Sequence, residues 1–318
     1  MAGRSVTRAD VERAAGVIRG RVHRTPTLRC RTLGPDVFLK AELLQRTGSF
    51  KPRGVLTKLA SLTEEETSRG VIAISAGNHA QAVAWGAAEE GLDALVVMWK
   101  GASEAKLAAT RGYGATVDLE ARDPTEAFER LATLQEETGR TLVHPFDDPL
   151  TIAGQGTVGL EILEDVPGVE TVVVPIGGGG LIGGIGAHLE RVSPETQVVG
   201  CWPENSPALY ECLRAGRIID VPEQPTWSTS TAGGVEPGAI TFDLCRRVID
   251  RKVLVTEAEI VDAARRLYRD DGELVEGAAA VAAAAFLRTA GDYPGKTVAL
   301  LLCGGNAEPE FAAKVTEA

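Results

Sequence analysis

Seven short, nearly unbroken apolar runs limit this chain's fold more than any other feature. They are VIAIS at 71–75, ALVVMW at 94–99, TLVH at 141–144, TVVVPI at 171–176, VVGCW at 198–202, KVLV at 252–255 and TVALLL at 297–302. Most show no alternation of apolar and polar residues, so both faces of each strand must be covered. Parallel sheets packed between helices read this way. Ala-rich helical stretches separate the runs. Thr63 with Glu66, and Thr256 with Glu259, fit capping boxes that start two of the helices. Strand then helix, repeated this often, predicts an α/β protein with right-handed crossovers. At 318 residues, one large or two medium domains are expected. One irregular stretch, from about Ile219 to Pro237, is rich in Pro, Thr and Ser and reads as a functional loop or a surface connection.

Several function classes fall away on composition. A net charge of −11 leaves no basic stripe to meet a nucleic-acid backbone. Cysteines at 30, 201, 212, 245 and 303 are odd in number and lack framework spacing, which suggests reduced thiols. His23, His79, His144 and His188 have no metal-ligand spacing. The N-terminal MAGRSVTRADVERAAG reads as the start of an amphipathic helix, not a signal peptide. The most apolar helical run, about Gly277 to Leu287, is too short to span a bilayer. A cytoplasmic location is the expectation.

Chemistry concentrates where strands end. In Thr47-Gly48-Ser49-Phe50-Lys51-Pro52-Arg53-Gly54, a lysine sits at a turn beside apolar groups, with Pro52 opening a helix. Such a lysine loses its proton more readily than a solvated one and can form a Schiff base with a carbonyl. Ser75-Ala76-Gly77-Asn78-His79 follows one strand and opens a helix. Backbone N–H groups there can hold a carboxylate, or the segment can be an N-cap and a turn. Gly177-Gly178-Gly179-Gly180-Leu181 follows another strand and lets bare backbone approach a phosphate at a helix N-terminus. No Gly-Lys-Ser/Thr closes it, so it is not a Walker loop. Cys303, in Leu302-Cys303-Gly304-Gly305-Asn306, can face a site at a strand's end or serve as a small buried apolar residue. The lysine and the glycine loop together suggest a pyridoxal phosphate site. A competing pattern is Gly178-x-Gly180-x-x-Gly183 with Glu204 about twenty residues on, which matches a dinucleotide fingerprint. That reading leaves the lysine and Asn-His segments unexplained.

In order, GSFKPRG, SAGNHAQAVA, AGQGTVGLEI, PIGGGGLIGG, VEGAAAV and LLCGGN resemble the fold type II pyridoxal-phosphate enzymes over nearly the whole chain. More narrowly, they resemble the serine/threonine dehydratase group, with its threonine ammonia-lyases and serine racemases. The resemblance implies two open parallel-sheet domains with the cofactor in the cleft between them. It implies that Lys51 carries pyridoxal 5'-phosphate, that Phe50 packs near its ring and that Asn78 bonds the ring hydroxyl. Gly177, Gly178, Gly179, Gly180 and Leu181 would hold the phosphate through backbone N–H groups, and Cys303 would face the pyridine nitrogen. A neutral thiol there suits elimination over transamination. Ser75, Ala76, Gly77 and His79 would hold the substrate carboxylate. By the same resemblance Glu276 would fall near the cofactor, without a defined role. The implied reaction is α,β-elimination of L-threonine, L-serine or a related 3-hydroxy amino acid to a 2-oxo acid and ammonia, with Lys51 as the base.

Departures narrow the choice within the group. Racemases resemble SSGNH where this chain has Ala76, and alanine cannot transfer a proton. Trp202 and Ala208 stand where metal-dependent members carry acids, so no divalent site is expected. Thr231-Ala232-Gly233-Gly234-Val235-Glu236-Pro237-Gly238 departs from the common ADG-type stretch near the substrate end of the cleft. The expected division is 1–69 with 148–318 as the large cofactor domain and 70–147 as a small substrate-closing domain, with no C-terminal regulatory domain. The resemblance also implies a homodimer. A racemase or β-replacement synthase on the same scaffold, a nicotinamide-dependent oxidoreductase and a cofactor-binding protein without turnover are the alternatives.

Overall fold

The computed structural model describes residues 5–317. Its strands, in chain order, are β1 (Thr27–Arg29), β2 (Val37–Ala41), β3 (Val71–Ile74), β4 (Ala94–Trp99), β5 (Thr116–Ala121), β6 (Thr141–Leu142), β7 (Thr171–Pro175), β8 (Gln197–Pro203), β9 (Arg251–Val255) and β10 (Val298–Leu302). The helices are α1 (Arg8–Ile18), α2 (Pro52–Leu59), α3 (Glu64–Arg69), α4 (Asn78–Glu89), α5 (Glu104–Gly112), α6 (Pro124–Thr138) and α7 (Pro149–Asp165) in the first half. In the second half they are α8 (Gly180–Val192), α9 (Ala208–Ala215), α10 (Ile240–Val248), α11 (Glu257–Arg266), α12 (Gly277–Thr289) and α13 (Pro309–Thr316). Among the described residues, no helix is long and apolar enough to cross a membrane. Of the N-terminal stretch read as a helix start, 1–4 lie outside the described residues.

Two sheets carry the fold. The larger has the order β1-β2-β10-β7-β8-β9, parallel throughout except for β1, which runs antiparallel to β2. The smaller has the order β5-β4-β3-β6 and is wholly parallel. Every residue of β3, β7 and β10 is buried, as the unbroken apolar runs require. Both expected capping boxes form, and a third forms between Thr7 and Asp10 at the start of α1.

Three strands carried no readable signal. β2 contains Lys40, whose charge interrupts the apolar run, yet Lys40 is fully buried. Its Nζ reaches Glu161 at 2.7 Å and the Thr25 carbonyl at 2.7 Å. β5 is an edge strand and keeps acids at Asp118 and Glu120. β1 is a three-residue edge. The expected strand at 141–144 stops at Leu142, where the chain turns toward α7.

Helix α2 links the two sheets. Val55 and Leu59 enter the smaller sheet's core, each contributing about 2 kcal/mol by burial. Its other face meets α7 so closely that a Cβ on Gly154 would stand 2.6 Å from the Gly54 Cα. The chain therefore enters the smaller sheet's core before residue 70.

Candidate active site

Neighbouring parallel strands release their loops at the same sheet edge, and this gathers the motifs. β2, β10 and β7 lie side by side, so the segments after Ala41, Leu302 and Pro175 emerge together. In the smaller sheet, β3 and β6 are neighbours and deliver Ser75–Gly77 and 143–148 to one edge.

The lysine turn is pinned to the end of β10. Ser49 bridges Gly304, and the Phe50 N–H donates to the Cys303 carbonyl at 3.1 Å. Thr47 holds φ at 59°, unusual for a residue with a Cβ, and its carbonyl accepts from Asn306 Nδ2 at 2.8 Å. Pro52 then opens α2, where a missing N–H costs nothing. Two residues beyond Lys51, the Arg53 guanidinium is fully buried between Glu42 and Glu161. Lys51 Nζ donates to the Pro145 carbonyl at 2.8 Å and lies 5.2 Å from the centre of the Phe50 ring. Burial lowers its pKa to about 8, against the pull of Glu276.

The glycine loop runs from the end of β7 into α8, whose N-terminus no side chain caps. Gly179 holds φ at +89°, which suits glycine. A Cβ on Gly178 would stand 2.3 Å from the Phe146 ring, so only bare backbone fits beneath that ring. The N-terminus of α4 also lacks a side-chain cap, and the Gly77 N–H turns back to Ser75 Oγ at 3.1 Å. Two helices thus offer free N–H groups and the positive end of their dipoles, one suited to a phosphate and one to a carboxylate.

Between them lies a polar network. Asn78 Nδ2 donates to Glu276 Oε1 and Oε2 at 2.9 and 3.0 Å, and Asn306 Nδ2 donates to Asn78 Oδ1 at 2.9 Å. These partners fix which way the Asn78 amide points. Ser230 donates to Glu276 Oε2 at 3.0 Å, and the Cys303 thiol lies 3.9 Å from Oε1. Burial raises the Glu276 carboxyl above the usual carboxylate range. Burial, with Glu276 nearby, holds the Cys303 thiol well above its ordinary value, so it stays neutral.

Other residues singled out in the sequence take different places. The His79 side chain turns into the protein, where Nε2 meets the Val143 carbonyl at 2.7 Å. Burial, with Lys51 nearby, lowers its pKa to about 3, so it is neutral and offers the cleft only its backbone N–H. The Leu181 side chain is buried in the large core, leaving its N–H in the first turn of α8. Glu204, needed by the dinucleotide reading, lies on the surface and pairs with Arg288 at 3.0 Å. A Cβ on Gly183 would meet Leu244, a packing reason for that glycine. Sequence reasoning missed Pro145, Phe146, Ser230 and Asn306 as site residues. Of these only Asn306 stood in a quoted motif, because the others act through contacts distant in sequence.

The profile of the pyridoxal-phosphate dependent enzymes matches residues 18–304. The chain belongs to this family. It is 45% identical over 305 residues to an L-threonine ammonia-lyase of Thermotoga maritima, covering 95% of this chain and 76% of that one. A threonine deaminase structure from T.th. superposes with a TM-score of 0.88 at 39% identity, covering 95% of this chain and 99% of that one. Maize serine racemase gives a TM-score of 0.91 at 30% identity, covering 96% and 95%. The fold is therefore fold type II, of the serine/threonine dehydratase group, and the protein is a pyridoxal-phosphate-dependent lyase. The geometry fits the cofactor on its own terms. A lysine of depressed pKa and a glycine loop with no room for a Cβ, leading into an uncapped α8, are brought together by Pro145 and Phe146.

Proposed function

We propose that this protein is an L-threonine ammonia-lyase that also accepts L-serine, releasing a 2-oxo acid and ammonia. The observation that carries this is Lys51, docked on the Pro145 carbonyl with its pKa lowered to about 8. A neutral amine that spends an N–H on a carbonyl keeps its lone pair free to take the substrate's α-proton. Pyridoxal phosphate, when bound, delocalises the negative charge that forms at the α-carbon. The α8 N-terminus and Gly177–Leu181 would hold its phosphate, Asn78 its ring hydroxyl, and Cys303 would face its pyridine nitrogen. The neutral Cys303 thiol does not force a proton onto that nitrogen, which favours β-elimination over transamination. The α4 N-terminus, with Ser75, Ala76, Gly77 and the His79 N–H, would hold the substrate carboxylate. Ala76 offers no proton to the opposite face of the α-carbon, which disfavours racemisation. A homodimer, a cytoplasmic location and a closing motion of the smaller sheet with its helices, roughly 70–147, belong to the same proposal.

The test is the visible spectrum of the purified protein before and after L-threonine or L-serine, with 2-oxo acid and ammonia followed together. A yellow protein whose band shifts as both products appear supports the reading. A band that shifts without product moves the substrate to another 3-hydroxy amino acid. A protein that stays colourless after reconstitution with cofactor overturns it.

A further inference from the structure

Every residue from Val143 to Asp148 is tied to a different part of the molecule. The Val143 carbonyl meets His79, the Pro145 carbonyl receives Lys51, and the Phe146 ring covers Gly178. Asp147 Oδ1 accepts from the Thr241 N–H at 3.2 Å, and Asp148 caps α7 and pairs with Lys58 at 2.8 Å. This short link from β6 to α7 therefore sets the lysine's resting place and the wall of the glycine loop together.

His144 organises the link. Its Nδ1 accepts from the Asp147 N–H at 2.8 Å and from the Phe146 N–H at 3.3 Å. Backbone N–H groups only donate, so Nδ1 carries no proton and Nε2 does. Nε2–H then donates to Glu236 Oε2 at 3.0 Å. The His144 ring also stands edge-on to Phe146, with ring centres 4.8 Å apart. Glu236 belongs to the 231–238 stretch that departs from the common pattern, and its hydrogen bond with His144 holds its carboxyl low.

We infer that His144 and Glu236 form a positioning pair. Glu236 selects the Nε2–H tautomer of His144, and the freed Nδ1 folds the 144–147 turn that aims the Pro145 carbonyl at Lys51 and seats Phe146 on Gly178. In this role both residues act through Lys51 and the glycine loop, by way of Pro145 and Phe146. The inference rests on Lys51 being the cofactor lysine.

Wild type, His144→Ala, His144→Asn and Glu236→Ala separate this role from a merely structural one. Asparagine places an acceptor near the Nδ1 position and can fold the same turn, but it cannot reach Glu236. Glu236 is 44% exposed in its side chain, so Glu236→Ala removes no core contact. The apo proteins are treated with pyridoxal phosphate and borohydride across pH, and Lys51 labelling is read by mass spectrometry. Wild type is expected to label with a midpoint of about 8. His144→Ala should move the midpoint upward as Lys51 leaves its buried partner, and lower kcat for L-threonine by on the order of 100-fold with little change in KM. His144→Asn should recover most of that loss, and Glu236→Ala should fall between. Long-range 1H–15N spectra of the wild-type apo protein should show the His144 proton on Nε2.

A proton on Nδ1 overturns the inference. So does a His144→Ala protein that loses thermal stability while its Lys51 midpoint and kcat stay at wild-type values. A wild-type protein that labels at Lys51 yet releases no 2-oxo acid from L-threonine or L-serine defeats the functional reading instead, and the midpoint comparison still stands.

Discussion

Arg53→Met removes the guanidinium that neutralises a fully buried acid. Arg53 Nε and Nη2 reach Glu42 at 2.8 and 2.7 Å, and Nη1 and Nη2 reach Glu161 at 2.7 and 2.8 Å. Without the guanidinium, Glu161 keeps Lys40, but Glu42 keeps only the Thr25 hydroxyl as a close donor. Breaking a buried pair from one side costs about 3–5 kcal/mol, because the remaining charge is left desolvated. The expected loss in unfolding free energy is in that range near neutral pH. Its pH dependence has a definite sign. In the wild type, burial alone would raise the Glu42 carboxyl, but Arg53, helped by the Thr25 hydroxyl and Lys40, holds it below the usual value of 4.5. Glu42 therefore contributes stability above that value and loses it as pH falls through the lowered pKa. In the variant, only the Thr25 hydroxyl and Lys40 oppose burial, and the carboxyl rises, so protonation relieves the penalty. The gap between the two proteins should be widest near neutral pH and shrink toward the carboxylate range. Urea unfolding of the apo proteins by circular dichroism reads this without cofactor binding adding to stability. Adding Glu42→Gln should recover part of the loss. A variant within about 1 kcal/mol of wild type, far below the cost of a broken buried pair, would refute the reasoning. So would a gap that widens as pH falls.

Gly178→Ala drives a Cβ to 2.3 Å from the Phe146 ring. Phe146 must move, and pyridoxal phosphate affinity, measured by titrating the apo protein, should fall at least about tenfold, equivalent to ~1.4 kcal/mol. Ala76→Ser places a hydroxyl beside the α4 N-terminus. Chiral chromatography should then detect D-serine formed from L-serine, and no gain over wild type would remove Ala76 as the determinant.

The local signals reached far because they depend on neighbours in sequence. Unbroken apolar runs announce buried parallel strands, capping residues announce helix starts, and a glycine run announces bare backbone wherever it lies. Lys51 and the glycine loop were therefore legible as local features, whereas Asn78 and Cys303 stood out through the resemblance, and parallel pairing brings the strands before these segments to shared edges. Where a side chain points and what it meets was decided by tertiary structure. His79 sits in a motif aimed at the cleft, yet its ring turns inward to Val143, 64 residues away. Glu276 finds Asn78 across 198 residues, and His144 finds Glu236 across 92. Lys40 hides in a strand because Glu161 crosses from α7 to neutralise it. A lone charge in a sequence reads as solvent-facing, and only the fold supplies the partner that makes its burial tolerable.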